Sequence, residues 1–302
     1  MAREYPTLLD LVGDTPIVRL DRIARDVGPT LLAKLEYLNP GGSNKDRIGM
    51  AMIEAAEREG KLRAGGTIVE PTSGNTGVGL AIAAAARGYR CIFVMPDKMS
   101  QEKISMLRAY GAEVVITPTA VEHDSPESYY SVSDRLAEEI PGGFKPDQYS
   151  NMNNPQAHYE TTGPEIWKDT GGRITHFVSA MGTTGTITGV SRFLREKNPQ
   201  VRIIGAQPNE GSRIPGIRKW PVEYLPKIYD PKAVDELVLV SQVDAEEVTR
   251  RLAREEGIFA GISAAGACWV ALQIAAKVEN ATIVFVVCDR GDRYLSTGVF
   301  PA

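Results

Sequence analysis

A chain of 302 residues with 43% hydrophobic composition is long enough for one large domain or two ordinary ones, each with a full core. Its formal net charge of −4, with lysines and arginines scattered among acids, gives no basic footprint and excludes nucleic acid as the expected partner. Cys91, Cys268 and Cys288 are too few and too far apart for a disulfide framework or a metal site, and no apolar run reaches the ~18 residues that a membrane span needs.

The charged start, Met1 to Asp10, does not read as a signal peptide, so the expected location is the reducing cytoplasm. Thr15 to Leu20 and Thr30 to Glu36 are short β-rich runs joined by a polar bend, which predicts two strands. A helix is expected after Lys45, because Ile48, Met52, Ile53 and Ala56 recur at spacings of three and four, with a stop near Gly60. Strands and helices then alternate. The pattern predicts a strand over 67–70, a helix over 78–87, a strand over 89–95, a Ser100-capped helix to Tyr110, a strand over 113–116 and a helix over 129–140. Pro141 to Pro146 is dense in breakers and reads as a crossing between two lobes. Beyond it the pattern predicts strands over 176–179, 201–206 and 282–288, with helices over 187–196, 245–255 and 265–278. This βα alternation calls for parallel sheets. Between Gln207 and Asp230 the periodicity lapses, and a long irregular loop inside a compact domain marks function.

Three stretches carry chemistry. Lys45 opens a helix behind Gly41 and Gly42. A lysine amine becomes a nucleophile only when unprotonated, through desolvation, a nearby cation such as Arg47, or a covalent partner. The plainer alternative is a Ser43-capped helix start with a solvated lysine. Gly182-Thr183-Thr184-Gly185-Thr186-Ile187-Thr188-Gly189 follows a predicted strand and opens a predicted helix. Its glycines turn N–H groups inward and its threonines add hydroxyls at the positive end of a helix, which suits a small phosphate monoester. It has neither the lysine of a triphosphatase loop nor the spacing of a dinucleotide fingerprint. Thr72-Ser73-Gly74-Asn75-Thr76-Gly77 has the same physical character on a smaller scale, suiting a carboxylate, with the Asn75 amide able to donate to a phenolate-type oxygen.

Five signatures spread nearly end to end, Asn39 to Arg47, Pro71 to Gly77, Gly163-Pro164-Glu165-Ile166-Trp167, Gly182 to Gly189 and Gly261-Ile262-Ser263, carry a family resemblance. The chain resembles the fold type II pyridoxal-phosphate enzymes of the cysteine synthase and cystathionine β-synthase group. The resemblance implies two parallel-sheet α/β lobes with pyridoxal 5'-phosphate in the cleft between them. Residues 1–39 would be crossing strands of the larger lobe, 40–145 the smaller lobe and 146–302 the rest of the larger one. Lys45 would hold the cofactor as a Schiff base, and Gly182, Thr183, Thr184, Gly185 and Thr186 would bind its phosphate. Asn75 would meet the ring hydroxyl oxygen, Ser263 the pyridine nitrogen, and Thr72, Ser73, Gly74, Thr76 and Gln148 the substrate α-carboxylate. A serine cannot hold that nitrogen protonated as an acid can, so the ring is a weaker electron sink. That favours loss of a β substituent over transamination. Lys45 would then act as α-proton base, an α-aminoacrylate would accept a sulfur nucleophile, and kinetics would be ping-pong.

Within the group the signals are mixed. Gln207 to Trp220 and Cys288 to Gly298 resemble the B-type cysteine synthases, whereas Ser128 to Leu136 and Lys145 to Tyr149 resemble cystathionine β-synthases. The expected reaction joins O-acetyl-L-serine to sulfide, or to thiosulfate, which Arg213, Arg218 or Lys219 could dock, Arg218 foremost. The alternatives are condensation of serine with homocysteine and, from another class, a non-catalytic scaffold for a serine acetyltransferase. A homodimer is expected, without haem or nucleoside control. Ala264-Ala265 departs from the family's glycine after the serine, which bears on how closely the backbone approaches the ring.

Overall fold

The computed structural model describes residues 5–72, 74–122 and 124–300. In chain order its elements are β1 (Ile17–Arg19), β2 (Thr30–Lys34), α1 (Lys45–Arg58), β3 (Thr67–Pro71), α2 (Asn75–Arg87), β4 (Arg90–Pro96) and α3 (Gln101–Ala109). There follow β5 (Glu113–Thr117), α4 (Tyr129–Glu139), β6 (Gly143–Phe144), α5 (Asn153–Ala157), α6 (Gly163–Asp169), β7 (His176–Ala180) and α7 (Gly185–Lys197). The last are β8 (Arg202–Pro208), β9 (Glu236–Val240), α8 (Gln242–Glu256), α9 (Ile262–Ala275) and β10 (Thr282–Val286). They group into two compact units, one made of the residues up to Val12 with Asn39–Asn153, the other of Gly13–Leu38 with the chain from Asn154 onward.

The first unit holds a four-stranded sheet in the order β5-β4-β3-β6, every pair parallel. β3 is buried along its whole length, as a central parallel strand covered on both faces must be. Val132 of α4 packs on Val69, Ile92 and Val94 on one side. β6 lies where the sequence predicts only a crossing: Gly143 and Phe144 pair with Thr67 and Ile68. Two residues among breakers are too few to show a strand period.

The second unit holds a six-stranded sheet in the order β1-β2-β10-β7-β8-β9. Only the β1–β2 pair is antiparallel. One sheet face is covered by α8 and α9 and the other by α6 and α7. α9 is apolar nearly all round, and Ala264, Ala265, Ala267, Cys268, Val270 and Ala271 are fully buried, as befits a helix inside a core. β9 and the helical stretch from Asn153 to Asp169 were not anticipated. β9 is a half-exposed edge strand, and α5 and α6 are joined by a π-helical turn over His158–Thr162 that breaks the 3.6-residue period. Lys34 is wholly buried on β2; its Nζ lies 2.7 Å from Glu165 and 3.5 Å from Asp169 and donates to the Thr15 carbonyl. Only such pairing makes a lysine tolerable in a core. Among the described residues, no helix is long and apolar enough to cross a membrane.

Candidate active site

In the first unit, Lys45 is the first residue of α1 and half-buried. The turn before it is held by Asp46, whose Oδ2 accepts from the Gly41 N–H at 2.5 Å. Asn44, not Ser43, is the N-cap, while the Ser43 hydroxyl accepts from the Lys45 N–H at 3.2 Å. Lys45 Nζ donates to Asn44 Oδ1 at 3.0 Å. One turn on from Lys45 stands Gly49, and one turn on from Asn75 stands Gly79. A Cβ on Gly49 would lie 2.5 Å from the Gly79 carbonyl carbon, and a Cβ on Gly79 would lie 2.5 Å from the Lys45 carbonyl oxygen. Backbone thus meets backbone, and the starts of α1 and α2, with Lys45 and Asn75, are drawn together.

The loop from β3 into α2 is organised by hydroxyls. Thr72 Oγ1 accepts from the N–H groups of Gly74 and Gly77, each at 3.2 Å, and Thr76 Oγ1 donates to Gln148 Oε1 at 2.7 Å. Gly74 has φ +143°, which an L side chain rarely adopts. Ser73 lies outside the described residues. Glu70, missed by sequence reasoning, accepts from the N–H groups of Asp147 at 2.8 Å and Gln148 at 3.2 Å. Its signal was an acid directly after the apolar Ile68-Val69 of a predicted strand.

In the second unit, the glycine and threonine loop delivers its residues to the first turn of α7. Thr184 is the N-cap with φ +72°, a left-handed conformation that is an outlier for a β-branched residue. Its Oγ1 is buried and has no hydrogen-bond partner among the described residues. A strained backbone, an orphaned hydroxyl and the open N–H groups of a helix start fit a phosphate ester. A Cβ on Gly185 would lie 1.9 Å from Asn154 Oδ1, so only glycine fits there. Asn154 Nδ2 donates to Thr183 Oγ1 at 3.4 Å, and His158 Nε2 lies 3.2 Å from Thr186 Oγ1. Neither Asn154 nor His158 could be read from the loop itself.

Ser263 is buried in the first turn of α9. The irregular stretch after β8 runs past it: Gly216, at φ +89°, would place a Cβ 3.0 Å from Ser263 Oγ, and its carbonyl oxygen lies 2.7 Å from where a Cβ on Gly182 would stand. Trp220 Nε1 donates to the Gly182 carbonyl at 2.8 Å. The lapse in periodicity over 207–220 thus marks chain that braces Ser263 and the threonine loop together. Arg218 is half-buried, donates its N–H to the Met181 carbonyl at 2.9 Å and stacks its guanidinium 4.9 Å from the Trp220 ring centroid. Arg213 and Lys219 are exposed.

A helix-opening lysine and a hydroxyl-rich loop in one unit, with a glycine and threonine loop and a buried serine in the other, are what the resemblance to fold type II pyridoxal-phosphate enzymes implies. The chain matches the family described as pyridoxal-phosphate dependent enzyme over residues 8–289 and belongs to it. It is therefore an enzyme that works with pyridoxal phosphate, built of parallel sheets in two α/β lobes. It is 53% identical over 300 residues to a protein of Pseudomonas aeruginosa named cysteine synthase B, covering 99% of each chain. A cysteine synthase B of Escherichia coli is 52% identical over 294 residues, 97% of this chain and 96% of the other. Among solved structures, O-ureido-L-serine synthase superposes with a TM-score of 0.90 at 41% identity, covering 99% of this chain and 96% of that one.

Proposed function

We propose that the protein makes L-cysteine, or an S-substituted cysteine, from O-acetyl-L-serine and sulfide or thiosulfate. The observation that carries this reading is identity above half, over nearly the whole length, with relatives named cysteine synthase B. Pyridoxal phosphate, when bound, withdraws electrons from the substrate Cα and so eases loss of a β substituent. Gly182, Thr183, Thr184, Gly185 and Thr186 hold its phosphate, Asn75 its ring hydroxyl oxygen, and Lys45 anchors it. Ser263 offers the pyridine nitrogen a hydroxyl in place of a carboxylate, which withholds a full positive charge from the ring. Thr72, Ser73, Gly74, Thr76 and Gln148 receive the substrate α-carboxylate through hydroxyl, amide and N–H donors. Lys45 Nζ takes the α-proton and later returns it, and Arg218 receives an anionic sulfur donor. In this reading the unit containing Asn39–Asn153 is the substrate lobe and the other the phosphate lobe. A cytoplasmic homodimer with a serine acetyltransferase as partner completes it, supported by the family resemblance.

A second reading, condensation of serine with homocysteine, is favoured by one observation. The two segments that resemble cystathionine β-synthases meet: Tyr130 and Tyr149 pack edge-on at 6.4 Å, and Lys145 Nζ bonds Asp134 Oδ1 at 2.5 Å.

The deciding experiment incubates the holoenzyme with O-acetyl-L-serine and offers sulfide, thiosulfate or homocysteine separately, with chromatography of the products. Sulfide and thiosulfate should be consumed faster than homocysteine. Lys45→Ala should lose about 100-fold or more in turnover, and Arg218→Ala should lose thiosulfate turnover while keeping most of that with sulfide. Faster reaction of serine with homocysteine would establish the second reading. Absence of turnover with every donor, alongside binding of an acetyltransferase tail, would reduce the protein to a scaffold.

A further inference from the structure

Glu70 is the fourth residue of β3, two positions before Thr72, and it is wholly buried. A carboxylate in such a place is costly unless hydrogen bonds satisfy it. Here two successive backbone donors offset part of that cost, one on each oxygen: Asp147 N–H to Oε2 at 2.8 Å and Gln148 N–H to Oε1 at 3.2 Å. Asp147 adopts φ +52° to make this turn, a left-handed conformation that non-glycine residues seldom take. The Gln148 side chain then accepts from Thr76 at 2.7 Å, in the first turn of α2. Thr72, just beyond Glu70, in turn accepts from the N–H groups of Gly74 and Gly77. A closed circuit therefore runs from β3 through Glu70, the 147–148 peptide, Gln148 and Thr76 back to the loop that β3 feeds.

We propose that Glu70 is a positioning residue for the amino-acid substrate: its carboxylate clamps the Asp147 and Gln148 N–H groups, fixes the Gln148 amide against Thr76 and so preforms the α-carboxylate pocket. This rests on the reading of Thr76 and Gln148 as carboxylate ligands. Preformed donors cost no reordering when the substrate arrives, which is the gain such a clamp brings.

Burial pushes the Glu70 carboxyl up to about 8, against the two N–H bonds and Lys145, which pull it down, while Asp147 adds to the rise. The facing charges are Asp147 and Lys145, and Lys145 is itself paired with Asp134 of α4. Below about 8 the folded carboxyl keeps its proton and offers a hydroxyl where one N–H needs a strong acceptor. The clamp is therefore completed as pH rises. Stability runs the other way. The unfolded carboxyl ionises near 4.5, so the folded state loses stability as pH climbs from there to about 8.

The test compares the wild-type holoenzyme with Glu70→Gln, which keeps the shape but offers one acceptor oxygen. In proton–nitrogen correlation spectra from pH 6 to 9.5, the Asp147 and Gln148 amides of the wild type should shift together with a midpoint near 8, and those of the variant should stay still. L-Alanine has no β leaving group, so its dissociation constant, read from the cofactor's visible spectrum, isolates binding. At pH 9 the variant should bind it about tenfold more weakly, the loss of one charge-assisted hydrogen bond. At pH 6.5 the two proteins should bind it alike. Urea melts should show the wild type losing stability relative to Glu70→Gln between pH 4.5 and 8. Equal L-alanine affinity of wild type and Glu70→Gln at pH 9 would overturn the clamp. Gln148→Ala separates the two readings. Unchanged L-alanine affinity in that variant would sink the carboxylate assignment and the clamp's purpose with it, whereas weakened affinity there beside unchanged affinity in Glu70→Gln would sink the clamp alone.

Discussion

Gly185 shows how far a missing methyl group decides the glycine and threonine loop. A side chain there would stand 1.9 Å from Asn154 Oδ1, inside any permitted contact, so Gly185→Ala must push the loop or Asn154 aside. We expect that variant to fold yet to hold pyridoxal phosphate about tenfold or more weakly, measured as cofactor absorbance retained after dialysis. The glycine was legible in the sequence and the reason for it was not. Lys45, Asn75 and Thr184 could be picked out because glycines and hydroxyl residues cluster visibly where a helix begins, and Ser263 through the family resemblance alone. Glu70, Asn154, His158 and Gly216 support those residues from segments that are distant in sequence, and a single chain read in order carries no trace of such pairings.

The α1–α2 pair carries the same lesson to elements. The starts of α2, α7 and α9 were predicted at 78, 187 and 265, whereas they fall at Asn75, Gly185 and Ile262. The residues by which each start differs, 75–77, 185–186 and 262–264, are small or polar apart from Ile262, so they show no apolar period, and their turns carry open N–H groups and hydroxyls. These three helices and their polar turns were both legible; that the turns already belong to the helices was not. The Gly49–Gly79 contact then sets how Lys45 and Asn75 face one another. Gly79→Ala puts a methyl group 2.5 Å from the Lys45 carbonyl oxygen and should separate the two helices. We expect about 1–3 kcal/mol of destabilisation in urea melts and a loss of turnover beyond what the remaining folded fraction explains. Gly28→Ala, with open space around it and an ordinary backbone, should leave both unchanged.

For the whole molecule, alternation of strands and helices told that the sheets are parallel, but not their order. Nothing local places β10 between β2 and β7, because that order is decided by which strand completes the buried sheet. The consequence is one of timing during synthesis. β2 leaves the ribosome roughly 250 residues before β10, which at about 5–20 residues per second is on the order of 10–50 s. For that interval the β1–β2 hairpin presents an open edge to other nascent chains, and β7 joins it for roughly the last 100 residues. A chain ending at Glu279, just short of β10, should therefore leave β2 amides unprotected in hydrogen exchange and drive the product into aggregates, while the sheet of the unit containing Asn39–Asn153, which needs no later strand, keeps its protection. Loss of the roughly 20 C-terminal residues from β10 onward would accordingly harm the cell's yield of this enzyme more than a lesion of equal length at any surface loop, because the last strand made is the one that closes both edges.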